Sequence, residues 1–303
     1  GDKNTLFGFN SGASILTGID NIFVGSNSGD ALNTGNTNIG IGTYSLSADT
    51  KGSGSVAVGD RALATQNFTT ATNSYNVAVG SSAGLSVTTG ANNTLIGGLS
   101  GDALTTGAGN VSVGTSSLSA SQTGNNGTAV GYGALAATTT SNNTGIGYLA
   151  GQAVTTGINN TLIGSHAGDA LTDADENVAV GMNALGVDTL GTGSVAIGDS
   201  SLSTQNFTTA TTTYNTAVGY RAGYVVTTGI KNTFIGGLAG DANTTASENT
   251  AMGHAALGAN VAGAENVAIG ERAMEVGNGG SYNTAVGRTA LRSASGNYNT
   301  AVG

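Results

Sequence analysis

Chemistry needs particular side chains at particular spacings, and this chain offers few. His166 and His254 are the two histidines, 88 residues apart and at different positions of their repeats, so each reads as a solvated surface residue rather than half of a metal or catalytic pair. There is no cysteine to act as a nucleophile or to build a disulfide framework. Serines are common, but none sits in a G-x-S-x-G elbow between a strand and a helix. The glycine-rich phrases close strands instead of opening helices, which argues against a phosphate cradle. Asp169, Asp173, Asp175 and Glu176 form the densest acidic group. Calcium requires several oxygens at one point, and the GGxGxD phrase of calcium-binding rolls is absent; a solvated turn is the expected role. No catalytic residue, metal ligand or cofactor site is assigned, and the chain is expected not to be an enzyme.

Two other features bear on recognition. Tyr75, Tyr214, Tyr282 and Tyr298 each precede a repeated Asn and are expected to pack at a corner, whereas Tyr132, Tyr148 and Tyr220 follow a repeated Gly and are expected to be exposed. The phrase TQNFTTAT occurs at Thr65–Thr72 and again, 139 residues later, at Thr204–Thr211. Its residues Gln66, Asn67, Phe68 and Thr69, with Gln205, Asn206, Phe207 and Thr208, are the candidate receptor-binding loops, because insertions in repeat proteins map to loops that often bind. The competing reading makes Phe68 and Phe207 structural plugs.

The elements that position these residues come from one repeated phrase: Asn, a β-branched residue, a small residue, a β-branched residue, Gly. It closes eighteen times, from Gly8 through Gly97 and Gly198 to Gly303, and of the seventeen gaps thirteen are 17 residues, two are 16 and two are 21. A period this short means one supersecondary unit stacked on itself. The expected fold is all-β, a parallel β-solenoid (β-roll) of about 18 coils with a 17-residue repeat and two short strands per coil, packed or intertwined as a homotrimer. Residues 1–303 are expected to be a single repeat domain, cut from a longer fibre protein. The absence of proline fits a backbone whose N–H groups enter ladders.

Within the phrase, the residue before the Gly is Val or Ile in sixteen of eighteen coils, and the residue two earlier is always Thr, Val or Ile. These two rows read as the solenoid core, on one face of a strand. The position between them then faces out. It holds Leu6, Phe23, Ala57, Ala78, Leu95, Ala129, Leu162, Ala179, Ala196, Ala217, Phe234, Ala251, Ala268 and Ala285, with Gly40, Ser112, Gly145 and Ala301, and none is charged. Strands apolar on both faces are buried on both faces, so this row is expected to be a subunit interface. The Asn occurs in fifteen of eighteen coils, with Ser55, Gly127 and Ser194 as exceptions, and is expected to form a structural turn ladder. Three residues after the Gly stands Ala or Ser, and the next position runs Gly, Gly, Leu, Leu over successive coils, as in Gly84, Gly101, Leu118 and Leu135. Where Gly replaces Leu, an apolar residue such as Val87 or Leu104 appears three places on, so one core slot is filled from either place; Asn243 breaks that rule.

These residues carry a resemblance. The N-[TV]-A-[VI]-G unit with an Ala-Leu pair and a Thr-Thr-Gly turn resembles the repeat region of phage tail-fibre proteins that end in a self-cleaving chaperone. It is also similar to the left-handed β-roll head of trimeric autotransporter adhesins, whose SVAIG phrase appears at Ser194–Gly198. The resemblance implies a homotrimeric extracellular fibre, on a virion tail or a bacterial surface, that positions or forms a surface for a host glycan or protein receptor. A self-assembling filament without a receptor is the alternative, and a glycan-cleaving tail spike a third.

The net charge of −9 and the lack of a basic run argue against nucleic acid. No apolar stretch approaches the ~20 residues of a membrane helix, so membrane insertion is not expected.

Overall fold

In the computed structural model, which describes residues 2–276, 279–293 and 295–303, the protein is an all-β parallel solenoid without helices among those residues. Residue contacts divide it into two compact units, Gly1–Leu149 and Ala150–Gly303.

Each described unit contains nine three-residue strands, one per coil. In the first they run from Thr5–Phe7 through Val77–Val79 to Thr144–Ile146, and in the second from Thr161–Ile163 through Thr216–Val218 to Thr300–Val302. Neighbouring coils pair in parallel with like position on like, so Val56, Ala57 and Val58 lie opposite Val77, Ala78 and Val79. The regular register follows from the fixed period, which returns each residue type to the same height in the pleat.

The orientation of these strands is the reverse of the expectation. The central row is the core of each coil: Phe23, Ala57, Ala78, Leu95, Ala129, Leu162, Ala179, Ala196, Ala217, Phe234, Ala251, Ala268 and Ala285 are fully buried within one chain, and Leu6 is part-exposed in the first coil. The row is therefore not a subunit interface. The Thr, Val and Ile rows face outward instead, with Ile96 38% and Ile41 40% exposed.

A second strand per coil is also absent as a rule. The segment after the closing Gly is a run of turns in which residues two and four places on adopt left-handed backbone, as at Arg61 (φ 55°) and Leu63 (φ 49°). Left-handed backbone costs a side-chain-bearing residue about 1–2 kcal/mol. Leu63 is fully buried, and burying a leucine contributes about 1.5–3 kcal/mol, so the packing offsets the strain.

The closing Gly has a strict reason. Gly80 sits at φ 139°, and a Cβ on it would lie 2.5 Å from the carbonyl oxygen of Gly97 in the next coil. Both the backbone angle and the close approach between coils exclude a side chain.

The core slot is shared as the sequence implies. A Cβ on Gly101 would meet Leu95 Cδ2 at 2.8 Å and Leu104 Cδ1 at 2.9 Å. In the next coil Leu118 fills the same space, with small Ser112 and Ser121 in place of the two leucines. Asn243 occupies the slot in its own coil fully buried, with neither side-chain polar atom hydrogen-bonded, and nothing in the structure explains it.

The Asn ladder runs beside this core. Asn93 accepts from the backbone N–H of Asn110 (3.0 Å) through Oδ1, and its Nδ2 donates to the Gly107 carbonyl (2.9 Å). The ladder Asn thus satisfies backbone groups of the following coil at the corner.

Candidate functional site

The two inserted loops are the largest departures from the 17-residue coil, and both fold back into it. Upstream of each stands an aspartate that is buried with the loop: Asp49 in the first unit and Asp188 in the second. Asp188 Oδ1 accepts from the backbone N–H groups of Gly191 (3.1 Å) and Phe207 (3.0 Å), and Oδ2 accepts from Gln205 Nε2. Asp49 does the same with Gly52 (2.9 Å), Phe68 (3.2 Å) and Gln66. Burial pushes the Asp188 carboxyl above its ordinary range, and the bonds from Gln205, Phe207 and Gly191 oppose that shift.

The glutamines complete a polar knot. Gln205 donates to Ser194 Oγ (2.9 Å) and accepts from Asn215 Nδ2 (2.8 Å), while Gln66 bridges Ser55 and Asn76 in the same way. This explains why the opening Asn is replaced at Ser55 and Ser194: the shorter side chain makes room for the Gln carboxamide. Past the loop, Thr72–Asn73 pairs in parallel with Gly52–Ser53, and Thr211–Thr212 with Gly191–Thr192.

Of the candidate receptor-binding residues, Gln66, Phe68, Gln205 and Phe207 are buried and presented to no ligand. Their burial is that of structural plugs. Asn67 is half-buried, and Thr69, Asn206 and Thr208 are exposed. Asp49 and Asp188 were missed from the sequence, although a signal existed: they stand 139 residues apart, inside the same long repeat as the loops.

The tyrosines fall out differently from expectation. Tyr75, Tyr214, Tyr282 and Tyr298 are exposed at the corner rather than packed into it, each on left-handed backbone (φ 48° to 61°). Tyr282 stacks on Tyr298 in the next coil at 4.9 Å, and Tyr132 on Tyr148 at 5.7 Å. Tyr44 and Arg61, with Ser47, Ala64 and Thr65, line a shallow cleft of about 330 Å³ in the first unit.

The acidic group does not converge. Asp173 accepts from Thr156 Oγ1 (2.7 Å) and Asp175 from the Ile158 backbone (2.8 Å), each tying its coil to the preceding one. Among the described residues no three His, Cys, Asp or Glu side chains gather as metal ligands. His166 is bonded to Ser165 Oγ at 3.0 Å, and His254 is exposed. No described helix is long and apolar enough to cross a membrane.

What remains unpartnered is the outer strand face. Its two rows, Thr, Val and Ile except at Phe7 and Met252, run along every coil of both units without one charged residue. No family model matches the chain, and no characterised protein matches it in sequence.

Proposed function

We propose that this chain is a structural fibre segment, extracellular and of the tail-fibre or surface-adhesin kind, in which copies of the chain pack through the outer Thr/Val/Ile face and position or form a host-receptor surface. The uncharged outer face is the observation that carries this reading. Val and Ile fill most of one row and Thr ten of the eighteen places in the other, so the strip is uncharged and in large part apolar, the character of an interaction surface. A strip roughly 10 Å wide and 40 Å long per unit is about 400 Å², taking about 4.8 Å per coil. Each unit thus offers about half of the roughly 800 Å² that one partner brings to a standard stable interface. A second copy also has the same rise per coil, so side chains that interlock at one level interlock at all of them. Three copies per fibre is the number the resemblance implies.

Sedimentation of the full chain at micromolar concentration tests the packing. Oligomers are expected, and Ile96→Lys with Ile235→Lys should shift them to monomers without altering the dichroism spectrum. A wild-type monomer refutes the reading. Electron microscopy of the protein in its native setting tests the function: discrete rods on virions or cells support it, and end-to-end filaments without a host contact refute it.

A further inference from the structure

The long repeat supplies an internal comparison. In the coils that follow the inserted loop, the first copy has Ser81, Ser82, Leu85 and Thr115, and at the same places the second has Tyr220, Arg221, Tyr224 and His254. Gly98 and Asp102 keep their counterparts, Gly237 and Asp241. Four chemically plain residues in one copy are thus two phenols, a guanidinium and an imidazole in the other.

The second unit brings these side chains together on one surface. The Arg221 guanidinium lies 4.0 Å from the Tyr224 ring centroid and 5.9 Å from that of Tyr220. It takes no part in the ion pairs of the described residues, which use Lys231, Arg272, Arg288 and Arg292. Asp241 stands at the position of Tyr224 one coil on, its carbonyl accepting from the Val225 N–H at 3.3 Å; burial raises its carboxyl above the ordinary range, and backbone N–H groups with the charges of Arg221 and His254 oppose that shift. Tyr220, Gly237 and His254 follow one another at the same position of successive coils. A Cβ on Gly237 would meet nothing closer than His254 Cδ2 at 3.7 Å. The missing side chain leaves a notch one coil wide between an exposed phenol and an exposed imidazole.

We propose that Tyr220, Arg221, Tyr224, Asp241 and His254 form a binding site for neutral hexose units of a saccharide. Aromatic side chains offer an apolar body with a polar tip, which suits the C–H face of a pyranose. A guanidinium held on two aromatic faces is a pre-set donor fork, and the neighbouring carboxylate is an acceptor; together they match adjacent sugar hydroxyls. An acidic sugar would face Asp241 and a chain of net charge −9, which disfavours it. The site is shallow, so repetition on several copies of the chain supplies the avidity that single binding lacks. This inference rests on the receptor-surface reading above.

The test is the full chain on an array of glucose-, galactose- and mannose-terminated neutral oligosaccharides with sialylated ones beside them, with adsorption to host cells measured in parallel. Binding to neutral glycans is expected. Tyr224→Ala and Asp241→Asn should each weaken it at least tenfold with the β-sheet dichroism spectrum retained, and Asp102→Asn, the same change in the other copy, should not. Absence of neutral-glycan binding, binding to sialylated glycans alone, or equal loss in Asp102→Asn overturns the site. Adsorption that persists without glycan binding overturns this site and leaves the fibre reading standing. Neutral-glycan binding without adsorption supports the site and overturns the receptor reading.

Discussion

At the scale of single residues, the fold depends on a few side chains whose surroundings are unusual. Asp188 is the clearest. Its folded pKa lies above its ordinary value because burial disfavours the charge. A folded pKa above the unfolded one gives stability that is complete at low pH and is lost as pH rises from about 4 through the folded value. Asp30, Asp102, Asp169 and Asp241 are raised for the same leading reason, so their contributions have the same sign. Asp188→Asn removes the buried charge but sets an Nδ2 donor against Gln205 Nε2, so its deficit against the wild type in thermal melts should be smaller at pH 7 than near pH 3. Asp188→Ala leaves Gln205 and two backbone N–H groups without an acceptor and should cost about 1–3 kcal/mol at both pH values. Asn243 offers a second test. Its side chain is buried without a hydrogen bond, and its counterpart in the other copy is Leu104. Asn243→Leu should stabilise by about 1–3 kcal/mol in denaturant titrations, since it removes a desolvation penalty. A destabilised variant would mean that the slot is too small for leucine.

At the scale of the element, the coil is the unit, and the 21-residue coil is a coil with a second anchor. Four extra residues leave the stack, but Phe68 and Phe207 return to it, and the bonds from Asp49 and Asp188 hold their backbone. Removing Asn67–Thr70 and Asn206–Thr209 would restore 17-residue coils. It would also delete both phenylalanines and strand two buried carboxylates. Loss of a buried Phe alone costs about 3–5 kcal/mol, so the double deletion should lower the melting temperature clearly, where a solvated loop would leave it unchanged. Adsorption measured on a deletion that still folds then reports on the exposed residues it removes, Thr69, Thr70, Asn206, Thr208 and Thr209.

At the scale of the whole molecule, the two faces of the strand make opposite predictions for the same charge. Ala129 is inside the coil and Val130 is on its outer face. Ala129→Glu places an unpaired carboxylate in a core with no room or partner for it, and should abolish the β-sheet dichroism signal of the affected region at any concentration. Val130→Glu should preserve that signal and weaken association in sedimentation. If Val130→Glu unfolds the chain while Ala129→Glu does not, the orientation described above is wrong. Three ion pairs among the described residues bridge successive coils, as Lys231 does with Glu248 at 2.9 Å and Arg292 with Glu275 at 2.8 Å. Exposed pairs of this kind add little individually.

The repeat alone was enough for the parallel stack, the exclusive Gly at the close of each strand, the Asn ladder and the shared core slot, because each depends on one residue meeting its own kind a coil away. Which way the strand faces was decided by the tertiary structure. Three residues that are apolar on both sides read alike inside and out, and the deciding information is the direction in which the following left-handed turns carry the chain. They fold it over the central residue. A trace of this was present in the sequence: Leu6, Phe23, Leu95, Leu162 and Phe234, the large residues of the central row, each stand in a coil whose core position six residues on is Gly. Two positions that trade volume must touch, so both belong inside. The buried Asp188–Gln205 pair and the gathering of Tyr220, Arg221, Tyr224, Asp241 and His254 were not legible in that way. Gln205 lies 17 residues from Asp188, and Asp241 and His254 lie one and two coils beyond the local Tyr220–Arg221–Tyr224 stack, so only the coil-on-coil stacking brings them to one place.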